Sequence, residues 1–200
     1  MTTPPDSLRS LSAHALGAGV FTIEGFLSAD ECAAYIAHGE GLGYAAASIQ
    51  TQEGAVVDQD VRNNDRVILD DAALAITLYE RARTLLPPTL DSRALCGLNE
   101  RLRYYRYGTE QQFAWHLDGP VRTGEDDRSY LTFMIYLNDD FEGGSTDFGW
   151  ESVKPVRGMA LIFPHHLRHR GAAVRRGIKY VLRTDVMYRL PPSLRRPKQA

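Results

Sequence analysis

From about residue 100 onward the chain is a series of short apolar runs cut by turn residues, and this texture restricts the fold more than any other feature. "RLRYYRYG", "SYLTFMIYLNDD", "GGSTDFG", "VKPVRGMALIFP" and "GIKYVLRTDVMY" each join β-branched or aromatic residues to Gly, Asn, Asp or Pro. Runs of this kind make short antiparallel strands, and several in series build a sandwich or small barrel. The first half reads differently. "FTIEGFLSADECAAYIAHGE" predicts a strand, a turn and a helix, with Ser28 and Glu31 spaced as a capping box. "DDAALAITLYERARTLLPP" predicts a second helix, acidic at its start, arginine-bearing near its end and stopped by Pro87. Leu74, Leu78, Ala82 and Leu85 form its expected buried stripe. Between the helices, "VVDQDVRNNDRVILDD" predicts a hairpin or loop that feeds a strand. The expected class is α+β with a mainly β core.

Two hundred residues suffice for one domain with a real core. The expected division is a flexible stretch 1–15, a single domain 16–190 and a flexible, proline-rich basic tail 191–200. Within the domain, helical support occupies about 28–90 and the β core about 98–188. A net charge of −2 provides no broad basic field, so neither nucleic acid nor an anionic membrane is an expected partner. The longest apolar stretches, such as "ALIF" at 160–163, are too short to span a bilayer. Cys32 and Cys96 are isolated thiols without metal or redox spacing, as in a reduced compartment, and no signal peptide is evident at the start. A cytoplasmic location is expected. The oligomeric state is left open.

"FAWHLDGPV" places His116 and Asp118 two positions apart, on one face of an extended chain. Alone, the pair is a short motif that chance can supply, and a solvated histidine beside an acid is the ordinary reading. A second histidine from elsewhere would complete a two-histidine, one-carboxylate set. Such a set suits non-heme Fe(II) with open coordination positions, or catalytic zinc. The other histidines are His14, His38, His165, His166 and His169. Downstream, alternation puts Lys179, Val181 and Arg183 on one face of an apolar strand. Buried charges there need either an anionic ligand or salt bridges to nearby acids. Only three of the 23 basic residues are lysine, so Lys179 fits a specific demand.

Three segments, in this order, resemble the Fe(II)- and 2-oxoglutarate-dependent dioxygenases, specifically the prolyl-4-hydroxylase-like branch. They are "RYYRYGTEQQFAWHLD", "RSYLTFMIYLNDDFEGGSTDF" and "VKPVRGMALIFPHHLRHRGAAVRRGIKYVLRTDVMY", and the similarity spans about 98 to 188. The resemblance implies a double-stranded β-helix, or jelly roll, supported by N-terminal helices. It implies His116, Asp118 and His169 as catalytic metal ligands for Fe(II), with 2-oxoglutarate and O2 as co-substrates and ascorbate as a supporting reductant. Lys179 would hold the distal carboxylate of 2-oxoglutarate, with Tyr136 and Tyr107 lining that pocket and Arg183 facing the same interior. His169 is preferred over His166 because "HRGAAVRRGIKY" follows the family pattern throughout, whereas Arg176, ten residues after His166, would fall in a turn. His165 and His166 then read as loop residues near the mouth. Ser145 stands where the family usually has Glu, and Phe113 where tyrosine is frequent.

The implied activity is hydroxylation of an aliphatic C–H of a peptidyl or small-molecule substrate, with release of succinate and CO2. Two other readings stand beside it: a zinc hydrolase on the same triad, and an inactive jelly-roll binding module. "RNNDR" at 62–66 is the other polar cluster. It reads either as an Asn-rich turn or as a loop whose Arg62, Asn64 or Arg66 contacts substrate. Arg122 and Arg128 flank an acidic loop and are expected at the surface or behind the site.

Overall fold

In a computed structural model, which describes residues 11–47, 49–51, 54–56 and 62–194, two antiparallel sheets of unequal size face each other. The larger has eleven strands among the described residues. Its centre is the ten-residue strand Asp127–Tyr136 beside the eleven-residue strand Lys179–Arg189. Ala160–Pro164 and Val20–Ile23 follow on one side, Arg101–Tyr107 and Asp65–Asp70 on the other. The smaller sheet runs Phe113–His116, His169–Gly171, Thr146–Phe148, Glu151–Val153. The expected jelly-roll core is present.

Both faces of the large sheet are covered, which is why its strands read as nearly unbroken apolar runs. Alternation sorts them. Phe133, Ile135, Ile162 and Leu182 pack on the helical side, while Met134, Tyr136, Leu161 and Val181 face the small sheet. Helices α1 (Ala29–Leu42) and α2 (Ala72–Ala82) form the helical cover. The capping box forms as expected: Glu31 N–H donates to Ser28 Oγ at 3.1 Å, and Ser28 N–H donates to Glu31 Oε2 at 2.8 Å. Glu31 also takes Arg81 of α2 at 2.6 Å, so one acid caps its own helix and ties the two together.

Helix α2 ends at Ala82, five residues before Pro87, and its buried face differs from the expected stripe. Ala75, Leu78 and Ala82 are buried, whereas Leu74 is half-buried and Leu86 replaces Leu85 inside. Ala75 and Ala82 are small residues that let the helix backbone lie close to the sheet. The expected N-terminal loose stretch yields to structure at Ala13, since Ala13–Gly17 pairs with Val20–Ile23. Residues 1–10 and 195–200, including most of the basic tail, lie outside the described residues. Among the described residues no helix is long and apolar enough to cross a membrane.

Gly158 fastens the helical layer to the sheet. Its carbonyl accepts Leu27 N–H at 3.0 Å, its φ is +78°, and an added Cβ would lie 2.2 Å from the Leu27 carbonyl oxygen. Gly158→Ala is expected to lose about 2 kcal/mol or more of stability, whereas Gly119→Ala, with open space around it, loses far less. Urea unfolding midpoints of the two variants check this.

Candidate metal centre

His116 is the last residue of its strand and lies directly across from His169, the first residue of the next. Their rings are 4.2 Å apart. Asp118 follows where the strand gives way to irregular chain, and a backbone bond from Asp118 N–H to the His165 carbonyl at 3.1 Å fixes its position. One potential donor atom from each of His116, Asp118 and His169 lies within 4.8 Å of the others. Nε2 of His116 is 3.7 Å from Asp118 Oδ1, and Nε2 of His169 is 3.6 Å from Oδ2. Both separations exceed a hydrogen bond, as expected of donors arranged to share an ion.

Each imidazole is oriented by its other nitrogen. Nδ1 of His116 meets the Ala114 carbonyl at 2.7 Å, and Nδ1 of His169 meets that of Leu167 at 2.9 Å. Those carbonyls accept Nδ1–H and leave Nε2 as a lone pair toward Asp118. Burial, reinforced by His169, pushes the His116 imidazolium down to about 4, and burial lowers His169 as well. Both rings are therefore neutral near pH 7, the form a metal requires. Burial alone would raise the Asp118 carboxyl. The Arg183 guanidinium, His169 and the Thr132 hydroxyl reverse this and hold it well below the usual carboxylate range. Thr132 donates to Oδ2 at 2.5 Å, and Arg183 Nη2 approaches it at 2.9 Å.

The triad opens on a cleft of about 420 Å³, its open mouth included. Lys179 lines it, almost fully buried, and donates to the Gly144 carbonyl at 2.6 Å. Its Nζ sits 5.4 Å from the Tyr107 ring centroid and 5.3 Å from that of Tyr136. Burial, opposed weakly by Asp147, pulls its ammonium down to about 7. Tyr107 lines the cleft. Tyr136 stands one layer back and donates to Thr146 Oγ1 at 2.7 Å, so Thr146 is the group that meets the cleft.

Arg183 faces the interior as alternation predicts, but both its expected partners and its task are refined. It is committed to acids, Asp118 at 2.9 Å and Asp185 at 3.6 Å. Burial would weaken its charge, yet Asp118, Tyr105 and Asp185 outweigh it and keep the guanidinium protonated. Tyr105, absent from the sequence reading, lines the same corner. Burial raises its phenol, and Arg183, Arg62 and Arg103 more than offset that and bring it to about 8.

Other expectations need correction. His165 lies in a turn, as expected, but not at the mouth: it is buried, with Nε2 2.8 Å from Ser129 Oγ and Nδ1 3.1 Å from Thr132 Oγ1. It braces the hydroxyl that holds Asp118. His166 is exposed, as expected. Arg176 ends a short strand instead of lying in a turn, but its side chain is 82% exposed and pairs with Glu142. Within "RNNDR", Asn64 is fully buried, accepting Arg62 Nε at 2.7 Å and donating to the Asp65 carbonyl at 2.6 Å. Arg62 is buried between the rings of Tyr105 and Phe113, and Arg66 is half-buried near Tyr105. Arg122 is exposed, and Arg128 lies 5.2 Å from the Tyr130 ring centroid, away from the cleft lining. Phe113 stacks on His116 at 3.5 Å and 14°, and Ser145 donates to Asp147 Oδ1.

Because folding depresses the Lys179 pKa from 10.5 to about 7, the unfolded chain holds this proton more tightly. Stability from this group is present above about pH 10.5 and is lost as pH falls toward 7. Lys179→Met, which removes the buried cation, should therefore raise the melting temperature of the ligand-free protein at pH 7 and raise it less at pH 9.5. Thermal melts of both proteins at the two pH values measure the gap.

Comparisons with known proteins agree with this arrangement. Residues 102–184 match the model of the 2OG-Fe(II) oxygenase superfamily. A PKHD-type hydroxylase of Shewanella frigidimarina is 27% identical over 84 residues, 37% of each chain. Another, from Xylella fastidiosa strain 9a5c, is 30% identical over 146 residues, 66% of this chain and 57% of the relative. The chain thus spans between about a third and three fifths of the length of these relatives. Among solved structures, viral collagen prolyl hydroxylase from Paramecium bursaria Chlorella virus-1 in its 2OG complex aligns with TM-score 0.63 and 23% identity, over 86% of this chain and 97% of that one. A Pseudomonas putida prolyl-4-hydroxylase aligns with TM-score 0.65 and 18% identity, over 86% and 93%. The family match over residues 102–184, the PKHD-type relatives and the prolyl hydroxylase neighbours together support placing the chain with the 2OG-Fe(II) oxygenases, on their prolyl-4-hydroxylase-like side.

Proposed function

We propose that this chain is an Fe(II)- and 2-oxoglutarate-dependent hydroxylase acting on an aliphatic C–H of a peptidyl or small-molecule substrate, with release of succinate and CO2. The observation that carries the reading is the donor set: two neutral imidazole Nε2 atoms and one ionised carboxylate converge, and a buried lysine shares their cleft. The chemistry of these donors fits Fe(II) with open positions. When bound, the metal with 2-oxoglutarate and O2 supplies the oxidising chemistry, and ascorbate supports it as a reductant.

His116, Asp118 and His169 would hold the metal. Lys179 would pair with the distal carboxylate of 2-oxoglutarate, which supplies the counter-charge its burial lacks. Tyr107 and Thr146 would border that carboxylate, and Tyr136 would orient Thr146. Arg183 keeps Asp118 ionised and aimed, and Met134, Phe163 and Val181 give the cleft apolar walls that limit water. One catalytic domain over 16–190 carries the activity in this reading, and the two separate thiols favour a cytoplasmic setting. The names of the relatives and neighbours, PKHD-type and prolyl hydroxylases, support a hydroxylase. A zinc hydrolase on the same triad is disfavoured, because it gives Lys179 no task. An inactive binding module leaves the ionised Asp118 and neutral imidazoles without purpose.

Fe(II) and 2-oxoglutarate added without oxygen should produce a visible charge-transfer band, and succinate should form in air. His116→Ala and Lys179→Ala should each lower succinate release by roughly 100-fold or more while circular dichroism stays unchanged. Undiminished release from either variant, or turnover with zinc and no 2-oxoglutarate, would overturn the assignment.

A further inference from the structure

Arg62 sits directly behind the cleft lining and has no part in the proposed reaction. It is 4% exposed, and its guanidinium sits 4.5 Å from the Tyr105 ring centroid and 4.4 Å from that of Phe113, two rings that line the cleft. Nε donates to Asn64, but Nη2 is buried without a hydrogen-bond partner, and no carboxylate among the described residues pairs with Arg62. Contacts with two aromatic faces, and the neighbouring Tyr105 and Tyr107 hydroxyls, offset part of the cost of burying the charge but supply no anion, and Nη2 keeps no hydrogen-bond partner. The same corner holds Arg183, whose Nε is also buried and without a partner, and Arg103, which shares Asp185 with it at 3.0 Å. Three guanidinium groups thus draw on two carboxylates, and one of those, Asp118, belongs to the metal donor set. The lowered Tyr105 phenol, set among these three arginines, reports the same surplus of positive potential.

Lys179 does not serve this corner. It lies four residues from Arg183 along one strand face, about 13 Å away, with Val181 between them. The cleft therefore has cationic groups at two places, and one dicarboxylate held at Lys179 leaves the arginine corner one counter-ion short among the described residues. We propose that this arginine corner is an anion subsite and that the primary substrate is a small acid whose carboxylate it holds, through Arg62 and Arg183. Because Arg62 is buried, the group that reaches it is small. Because Arg183 touches Asp118, the C–H to be oxidised lies only a few bonds from that carboxylate. An uncharged peptidyl proline offers no such group. Naming the ligand a substrate rests on the oxygenase reading; the anion subsite does not.

The test titrates sulfate, as probe oxyanion, into the intact chain by calorimetry at constant ionic strength, with and without Fe(II) and 2-oxoglutarate under anaerobic conditions. Wild type should take up sulfate saturably in both states, with one site remaining in the loaded state. Arg62→Met, which keeps the apolar stem, should weaken that site at least tenfold, while Lys154→Met, an exposed lysine elsewhere, should not change it. Absence of a saturable site in the loaded wild type, or equal binding by Arg62→Met, overturns the proposal. If Arg62→Met does not fold, the wild-type titration and Tyr105→Phe decide: the latter keeps the arginines and must keep the site. Failure of the oxygenase reading shows separately, as no uptake of 2-oxoglutarate. Failure of the subsite shows as sulfate binding that is absent or indifferent to Arg62.

Discussion

The contact between Arg183 and Asp118 is the constraint around which the site is arranged. Arg183 stands on a central strand of the large sheet, and Asp118 stands on irregular chain just beyond the small one. Their 2.9 Å approach spans the gap between the two sheets at the level of the cleft. A carboxylate this deeply buried would otherwise take up a proton and lose its value as a metal donor. Thr132, on Asp127–Tyr136, donates to the same oxygen, and His165, in the turn after Ala160–Pro164, braces the Thr132 hydroxyl, so three segments of the chain agree on where Asp118 points. Asp185 in turn accepts Arg183 and Arg103, which carries the charge network on to the strand Arg101–Tyr107.

This arrangement needs a sheet that is buried on both sides. The helical layer seals one face with Phe26, Leu78 and Ala82, and the small sheet seals the other with Phe148 and Val153. Between the sheets the interior is dry enough to depress Lys179 and His116, yet it holds aligned donors that keep Asp118 and Arg183 charged. Low dielectric has opposite results for these groups because it penalises an unpaired charge and strengthens a paired one. Among the described residues, the Lys179 ammonium and the Arg62 guanidinium are buried charges without a paired carboxylate. That is the pattern expected of a protein which receives anions from outside.

Much of the site was legible in the chain. His116, Asp118, His169 and Lys179 stand at spacings that survive folding because each pair is set by local strand geometry or by a recurring motif. The face shared by Lys179, Val181 and Arg183, and that shared by Thr132, Met134 and Tyr136, followed from alternation alone. Other roles were not legible. His165 sits one residue from His166 and differs from it only in which way the turn after the strand points it. Tyr105 looked like one of several tyrosines in "RLRYYRY", and nothing local marks the one that three arginines surround. Arg62 could be singled out as polar and unusual, but not as buried against Phe113, which lies 51 positions later.

The sequence by itself determined the alternation of strands, the capping of α1, the absence of a broad charge field and the order of the donor residues. These depend on neighbours within a few positions, where backbone geometry and side-chain period leave little freedom. Tertiary structure alone decided which charges are matched. Whether Arg183 meets an acid, whether Tyr136 or Thr146 reaches the cleft, and whether Arg62 meets a carboxylate among the described residues all depend on sheets brought together from distant parts of the chain. Electrostatic energy in a buried site is set by distances of a few ångströms, and separation along the sequence does not fix those distances.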